Sequence, residues 1–469
     1  MELISFSSCH KATVEKFYKM RTQLVTALGL LPSAHALWLG GGLTILTKNN
    51  LESEWDYLST RRAELTISTT GAPNDGSGAI LVSQPCANYA SEMACTLLGE
   101  KLWNPDTTDF KAGLNSSLAY QAHIGAASKK QLYWISKKKG KRGSSDDCRA
   151  MDATGKIHNK VNCWEELPTL CTQSAPLSSA FKVNNSRHWQ IDHFVGNQKL
   201  TGYRDYHTFK FQGLPYAKKT ARFAYSEPAD YDTDRPGEIK ALTAGTNCPQ
   251  EPSDVAPGAN GEDCLYANVW TPFLPPLGAK LKSSELKAVW LHIHGGGFKE
   301  GSGNNSATDG TNLASRGDIV VVSFNYRVGA LGFLNLNDGV HKGNYAISDM
   351  VSALKWVNKY IQYFGGDPNR VTLVGESAGG QAINAMLATK QAKGLFHRAI
   401  AFSAGDGVPV QVNGGYQFSF PYMDTLDVNY EKITKGLLEE AGCLAVEDKA
   451  ACLSQLSGLE LVTLDTVAA

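Results

Sequence analysis

The chain has 469 residues, of which 42% are hydrophobic and 19% are charged. This composition is typical of a globular protein with a sizeable core, and it excludes global disorder. Lysine plus arginine and aspartate plus glutamate number 45 each, so no net attraction to nucleic acid or to an anionic membrane is expected. The basic cluster Lys137–Arg142 is short and lies in a polar stretch, which favours a solvated loop over a binding patch.

The first 36 residues have a targeting pattern. Met20–Ala36 has a basic start, an apolar middle and an A-x-A end, which is the anatomy of a secretory signal peptide. Because this segment begins at an internal methionine, we interpret residues 1–19 as a gene-model extension; a buried helix is the alternative interpretation. No apolar run reaches the roughly 18 residues that a membrane-spanning helix needs, so no membrane association is predicted.

The ten cysteines and three N-x-S sequons fit an exported chain. No C-x-x-C pair is accompanied by a second ligand pair, so neither a zinc site nor any other cofactor is predicted. Removal of residues 1–36 would leave nine cysteines, and one thiol would then be free or intermolecular. The sequons at Asn115, Asn184 and Asn304 predict N-glycosylation. These features together predict a secreted glycoprotein with disulfide bonds.

Residues 37–176 are predicted to form a first domain. Tyr89–Trp103 has the pattern of an amphipathic helix and Gln131–Ile135 that of a strand. With the cysteines that follow, this region resembles the C-type lectin-like fold, a small disulfide-bonded α+β domain. The resemblance implies the disulfides Cys148–Cys163 and Cys95 (or Cys86)–Cys171. The calcium and sugar ligand triplets W-N-D and E-P-N or Q-P-D are absent, so a structural or partner-binding module is predicted, without carbohydrate binding.

A polar segment containing proline, Thr172–Ser179, predicts a linker, and residues 180–469 form the second domain. Apolar strands alternate with helical segments there, which predicts a mostly parallel α/β sheet. The predicted strands are Ala288–His294, Ile319–Phe324 and Val371–Val374, and a helix is predicted at Ala353–Phe364.

The last of these strands runs into the sequence G-E-S-A-G, with Ser377 at its centre. A lone G-x-S-x-G should arise by chance roughly 0.2–0.4 times in a chain of this length and composition. Here it lies between a strand and a helix, and such a turn lifts the serine oxygen above the sheet. The context therefore predicts a nucleophile at Ser377.

Five motifs extend this pattern in a fixed order: Glu262–Trp270, His294–Phe298, Asn325–Phe333, Phe364–Pro368 and Gly375–Gly380. In this order they resemble the type-B carboxylesterases, the cholinesterase-like group of α/β-hydrolases. The resemblance covers residues 180–469 and implies an α/β-hydrolase fold there. It also implies hydrolysis of small-molecule carboxylic esters by acyl transfer through a serine.

The resemblance further assigns roles to individual residues. Ser377 is the expected nucleophile, and the amides of Gly296, Gly297 and Ala378 are expected to form the oxyanion hole. His294 precedes this loop and is expected to orient it. Glu376 beside the serine is expected to be structural. The implied disulfides are Cys248–Cys264 and Cys443–Cys452, and the implied buried ion pairs are Arg222–Glu262 and Arg327–Asp349.

The loop closed by the first of these disulfides bears on the substrate. Pro249–Asp263 contains no Trp, Tyr or Phe. Capture of a quaternary ammonium by a cation–π contact is therefore unsupported, and a neutral acyl ester is the predicted substrate.

The general base is not apparent. In α/β-hydrolases the acid and the histidine follow the serine, yet the only histidine after Ser377 is His397, in a segment that resembles family scaffold. We therefore expect a truncated gene model or fragment, with the hydrolase fold incomplete at its C-terminus and the 469-residue chain inactive or poorly folded. Two other interpretations remain: a non-catalytic cholinesterase-like adhesion protein, and a lectin-like binding protein with a decaying hydrolase tail. The retained Ser377 and triple glycine favour the esterase.

Overall fold

The computed structural model describes residues 35–39, 42–46, 65–68, 78–106, 114–125, 127–137, 147–179, 182–234, 237–251, 259–276, 281–404, 410–412, 415–417 and 425–467. The predicted extension and signal segment, residues 1–36, lies outside the described residues except for His35 and Ala36, which begin a strand. The basic cluster beyond Lys137 and the side chain of Asn115 also lie outside them.

The described strands follow one another along the whole chain. They are β1 (His35–Leu39), β2 (Gly42–Leu46), β3 (Leu65–Ser68), β4 (Ala79–Cys86), β5 (Leu132–Trp134), β6 (Asp147–Asp152), β7 (Ile157–Asn162), β8 (Leu167–Thr172), β9 (Gln190–Val195), β10 (Gln198–Arg204), β11 (Phe209–Pro215), β12 (Glu238–Lys240), β13 (Tyr266–Thr271), β14 (Phe273–Leu274), β15 (Lys287–Ile293), β16 (Val320–Phe324), β17 (Gly366–Glu376), β18 (Arg398–Phe402), β19 (Val410–Val412) and β20 (Gly415–Gln417).

The described α-helices concentrate in the second half of the chain. They are α1 (Asn88–Leu97), α2 (Leu114–His123), α3 (Thr311–Gly317), α4 (Gly329–Phe333), α5 (Tyr345–Tyr360), α6 (Ala378–Ala388), α7 (Leu426–Asn429), α8 (Lys435–Glu440), α9 (Lys449–Leu453) and α10 (Gly458–Val467). None of the helices in these described ranges combines the length and the apolar character needed to span a membrane.

The N-terminal unit, residues 65–172, is built on a seven-stranded sheet in the order β14-β3-β4-β8-β5-β6-β7. Helix α1 is shorter than the predicted Tyr89–Trp103, because Gly99 turns the chain with a φ of +71° and leaves the helical conformation. Beyond the turn, Leu102 bridges to Cys171 in β8. Residues 98 and 99 therefore form a turn and residues 101–103 pair with β8, so the prediction of helix over 98–103 was wrong.

Two disulfides close the N-terminal unit. Cys95–Cys171 joins α1 to β8, and Cys148–Cys163 joins β6 to the turn after β7. Both pairings are confirmed, and of the two partners that the sequence allowed for Cys171 the structure uses Cys95. Cys86 is buried and lies outside the four disulfides of the described chain. The lectin-like resemblance of this unit stays a prediction.

The C-terminal unit, residues 182–467, contains a nine-stranded sheet in the order β12-β10-β11-β13-β16-β15-β17-β18, with β9 beside β10. Strands β16, β15, β17 and β18 are parallel, whereas β9, β10, β11, β13 and β16 pair antiparallel. The sheet is therefore mixed, and the expectation of a mostly parallel sheet was too strong. Short connections join β9, β10 and β11, and short connections favour antiparallel neighbours.

The parallel half of the sheet carries the core that positions the site. Every residue of β16 is buried, as expected for a central strand covered on both faces. Helix α5 packs on this sheet and begins eight residues before the predicted Ala353, after Asn344 in a left-handed conformation. Its first turns were missed because the buried polar residues Asp349 and Ser352 interrupt the apolar pattern.

The two units contact each other closely. Strand β14 of the C-terminal unit pairs with β3 of the N-terminal unit, and the amide of Ile67 donates to Pro272 O at 2.9 Å. The predicted linker Thr172–Ser179 is not a solvated tether, because Gln173 and Ala175 within it are buried. A single hydrophobic cluster extends from Trp134 in the N-terminal unit to Leu373 beneath the elbow.

Candidate functional site

Ser377 lies between β17 and α6 at the carboxyl end of the parallel strands. Its backbone has φ 56° and ψ −124°, a conformation that L-residues rarely adopt, and its amide donates to Phe402 O at 2.9 Å on the neighbouring strand. Such strained backbone persists only where the surrounding structure holds it, and it occurs preferentially at functional sites. The turn has the geometry that a nucleophile elbow requires.

The glycines around Ser377 let the helix pass close to the sheet. A Cβ atom on Gly375 would lie 2.5 Å from the carbonyl carbon of Gly379, and one on Gly379 would lie 2.2 Å from Ile293 O. Both distances are too short for any side chain. The strand-turn-helix therefore depends on glycine at both positions, as the G-x-S-x-G pattern predicts.

The loop after β15 lies beside the serine. A Cβ atom on Gly295 would be 2.7 Å from Glu376 O and 3.4 Å from Ser377 Cβ, so this part of the loop is in contact with the elbow. Gly296 and Gly297 adopt φ values of +108° and +60°. A Cβ atom on Gly297 would meet nothing within 4 Å among the described residues, which leaves open space on that side.

Three backbone amides are available at this position. In the part of the chain that the structure describes, the N–H groups of Gly296, Gly297 and Ala378 donate to no acceptor. Ala378 is the first residue of α6, where amides have no partner within the helix and where the helix dipole favours negative charge. Ala378 follows Ser377 directly and the loop that holds Gly296 and Gly297 contacts the elbow, while their role as oxyanion donors stays a prediction.

His294 fixes one peptide group of this loop. Its Nδ1 lies 2.8 Å from Gly295 O, and because a carbonyl only accepts, Nδ1 carries the proton. The imidazole stacks on Tyr326 with ring centroids 4.0 Å apart, and burial lowers the pKa of His294 to about 4. The N–H of Gly296 points opposite to the C=O of Gly295 in a trans peptide, so this bond also sets the direction of the Gly296 amide.

His397 is not placed to serve Ser377. The amide of Val371 lies 3.4 Å from His397 Nδ1, and the amide of His397 donates to Val371 O at 2.8 Å. Val371 precedes Ser377 by six residues along β17, a separation of about 20 Å at the rise of a strand. The histidine therefore lies just before β18, beside the middle of β17 and away from the elbow.

The two expected ion pairs form at different depths. Arg327 and Asp349 are joined by two hydrogen bonds of 2.7 and 2.8 Å, and both side chains are buried. Arg222 also donates twice to Glu262, but 39% of the Glu262 side chain is exposed, so the expectation of burial was wrong for this pair. Arg222 also donates to Leu453 O at the end of α9. Because Glu262 lies in the loop closed by Cys248–Cys264, Arg222 connects α9 to that loop.

The remaining expectations concern disulfides, sequons and metals. Cys248–Cys264 and Cys443–Cys452 are confirmed. The Asn304 amide donates to Gly245 O and to Asn247 Oδ1, both at 2.8 Å, whereas no side-chain bond engages Asn184 in the described chain; glycosylation of all three sequons stays a prediction. No three His, Cys, Asp or Glu side chains within the described ranges are grouped as metal ligands.

Comparison with known proteins decides the family. The profile of the Carboxylesterase family matches residues 191–467, which is more than half of the chain. The chain belongs to the carboxylesterase family. Membership of this family implies an α/β-hydrolase fold with a mixed sheet, which agrees with the strand order described above.

Several members of this carboxylesterase family are similar in sequence. The para-nitrobenzyl esterase of Bacillus subtilis (strain 168) is 36% identical over 269 residues, covering 55% of this chain and 51% of the relative. Acetylcholinesterase-1 of Trittame loki is 40% identical over 224 residues, covering 46% and 39%. Neuroligin-2 of Mus musculus is 32% identical over 292 residues, covering 55% and 33%. The chain therefore spans about half of the length of the Bacillus esterase, and less of the other two.

Among solved structures, a thermophilic para-nitrobenzyl esterase aligns with a TM-score of 0.49 at 32% identity, covering 59% of this chain and 54% of that one.

Proposed function

We propose that this carboxylesterase-family chain supplies the nucleophile and the oxyanion hole for hydrolysis of small, neutral carboxylic esters. The observation that supports the proposal most strongly is the strained Ser377 with the Gly295–Gly297 loop against it. A strained serine and unpaired glycine amides have no evident structural use, whereas acyl transfer requires both. The open side of Gly297 is where the acyl group would lie.

The proposed reaction has two steps, acylation of Ser377 and hydrolysis of the acyl-serine. Ser377 Oγ attacks the ester carbonyl carbon while its proton passes to a base, and the amides of Gly296, Gly297 and Ala378 donate to the oxyanion. The carbonyl re-forms as the carbon–oxygen bond to the alcohol breaks, and the alcohol leaves with the proton. Water then attacks the acyl-serine by the same route and releases the acid.

The general base and its carboxylate partner are not assigned to any residue of this chain. His397 is about 20 Å from Ser377 by strand rise, and no other histidine follows the serine in the sequence. His294 is committed to Gly295 O and is buried. We infer that the described residues hold no base for Ser377, and that exogenous imidazole can act as the base because the Gly297 side of the site is open.

The test is hydrolysis of p-nitrophenyl acetate by the wild-type chain and by Ser377→Ala, each with and without imidazole. We expect turnover above the Ser377→Ala background only when imidazole is present. If two folded proteins give equal rates at every imidazole concentration, Ser377 is not the nucleophile. Serine-dependent turnover without imidazole would support the hydrolase but contradict the inference about the base.

A second candidate function is that of a non-catalytic, cholinesterase-like binding or adhesion protein. The similarity to Neuroligin-2 supports this alternative function, in which the N-terminal unit would provide the contact surface. The strained serine argues against it, because a binding surface has no need of that conformation. The imidazole assay separates the two functions. The four disulfides support an extracellular location for either one.

A further inference from the structure

Gln250 binds both main-chain groups of a single distant residue. The amide of Gly301 donates to Gln250 Oε1 at 2.7 Å, and Gln250 Nε2 donates to Gly301 O at 3.0 Å. The two residues are 51 positions apart, and only 1% of Gln250 is exposed. No sequence pattern points to this pairing, because a contact between distant residues leaves no local signal.

The loop after β15, residues 294–301, is called the glycine loop. Gly301 at its end lies against His294 and Gly295 at its start. It has a φ of +107°, and a Cβ atom there would lie 2.4 Å from Gly295 O and 2.5 Å from His294 Nδ1. The main chain of Gly301 is thus pressed against the hydrogen bond that sets the direction of the Gly296 amide. Gly301 therefore lies against His294 and Gly295, and outward movement of Gly301 would remove this packing from their hydrogen bond.

Gln250 is itself held by the loop that the Cys248–Cys264 disulfide closes. Its Nε2 also donates to Cys248 O at 3.1 Å, and its own carbonyl accepts from Asn260 Nδ2 at 3.0 Å. Both cysteines are buried, so the disulfide is shielded from solvent reductants. Gln250 is therefore held by Cys248 and Asn260, which lie near the two ends of this loop, in the position from which its side chain reaches Gly301.

We propose that Gln250 is a positioning residue for the oxyanion hole, acting through Gly301 on the Gly295–Gly297 loop. The disulfide between Cys248 and Cys264 then serves catalysis at a distance, because it fixes Gln250. The name oxyanion hole rests on the proposed function, whereas the mechanical link from Gln250 to the loop does not. The link predicts that removing the Gln250 amide loosens residues 294–303 and leaves the rest of the sheet unchanged.

Amide hydrogen exchange followed by mass spectrometry tests this link without requiring activity. In Gln250→Leu the N–H and C=O of Gly301 lose their partners, so we expect exchange in peptides spanning 294–303 to become roughly tenfold faster. Exchange in β17 and α5 should not change. The matched control is Gln198→Leu, which removes a glutamine of equal burial that binds Lys199 O and Gly237 O instead.

If Gln250→Leu does not fold, Gln250→Asn keeps the amide but is one methylene shorter and cannot reach both atoms of Gly301. Unchanged exchange at 294–303 in a folded variant, or equal acceleration throughout the chain, would overturn the proposal. In the imidazole assay, Gln250→Leu should lower kcat with little change in KM, because the oxyanion forms only in the transition state. A wild-type chain without turnover, combined with faster local exchange in the variant, would reject the hydrolase function and retain the link.

Discussion

At Gly379 the elbow leaves no room for a side chain. The position a Cβ atom would take lies 2.2 Å from Ile293 O and 3.0 Å from His294 O, and both of these atoms belong to backbone. We expect Gly379→Ala to push α6 away from β15 and to lower the free energy of unfolding by about 3 kcal/mol. Urea unfolding measures this loss.

The control for that substitution is Gly394→Ala. Gly394 has a φ of +82°, and a Cβ atom there would meet nothing within 4 Å among the described residues. The variant should therefore lose only about 1 kcal/mol, from backbone conformation alone. Equal losses at Gly379 and Gly394 would contradict the close packing assigned to the elbow.

Sequence reasoning succeeds at residues whose signal is local. Ser377 and its glycines are adjacent in sequence, and the strand before and the helix after them can be read from a few residues. Gln250 and Gly301 were missed because their contact joins residues 51 apart. The open choice between Cys86 and Cys95 shows the same limit, since cysteine spacing does not determine connectivity.

At the scale of elements, a buried ion pair joins the two units. Arg204 at the end of β10 donates to Glu100 Oε1 at 2.8 Å and to Leu98 O at 2.6 Å, and the guanidinium lies 4.9 Å from the centre of the Trp189 ring. Glu100 also accepts from Ser174 N and from Thr172 Oγ1. Every charge in this contact is thus paired while only 1% of the Glu100 side chain is exposed.

Removal of one partner of this pair should be costly. We expect Arg204→Leu or Glu100→Leu alone to lower the free energy of unfolding by about 3–5 kcal/mol, because each leaves a buried charge unpaired. The double variant should lose less than the sum of the two, since neither charge remains. Urea unfolding followed by tryptophan fluorescence gives all three values.

The exposed pair Lys435–Glu431 is the control, and Lys435→Ala should lower the free energy of unfolding far less than either buried variant. Additive losses at Glu100 and Arg204, or separate unfolding transitions for the two units, would contradict the joint structure. The sequence suggested a linker here because Thr172–Ser179 is polar and contains proline. The structure instead joins the two units through the pairing of β14 with β3. This pairing involves only two residues of each strand, which is too short to give a recognisable sequence pattern.

At the scale of the whole molecule, stability should depend on pH in two windows. Burial lowers the pKa of His193 and His294 to about 4, so folding disfavours their protonation. Each histidine makes its full contribution to the free energy of unfolding above its unfolded-state pKa near 6.5. This contribution, roughly 3 kcal/mol for each histidine, is lost as the pH falls toward 4. Carboxylates such as Asp152 and Asp338 have pKa values lowered to about 2 by hydrogen bonding that outweighs desolvation, so their contribution is lost below pH 4.

The free energy of unfolding measured from pH 7.5 to pH 3 checks this dependence. His193→Gln should flatten part of the slope between pH 6.5 and pH 4, because one of the buried imidazoles is gone. A stability that is constant from pH 7 to pH 5 in the wild-type protein would contradict the burial of these histidines as neutral groups.

The family and the C-terminal unit could be predicted because five motifs recur in a fixed order over residues 262–380. The N-terminal unit could not be predicted to the same depth. Its packing against the C-terminal unit depends on the Arg204–Glu100 ion pair and on the pairing of β14 with β3. The partners in both contacts lie far apart in sequence, so no local pattern predicts them.

The central claim is that Ser377 can form an acyl-serine in a completed oxyanion hole. Mass spectrometry of proteolytic peptides after incubation with p-nitrophenyl acetate and imidazole tests it most directly. We predict the added mass of one acetyl group on the peptide that contains Ser377, persisting once imidazole is removed because we infer no base for water among the described residues. The claim is contradicted if that peptide stays unmodified in a folded protein, or if Ser377→Ala acquires the same acetyl group on it.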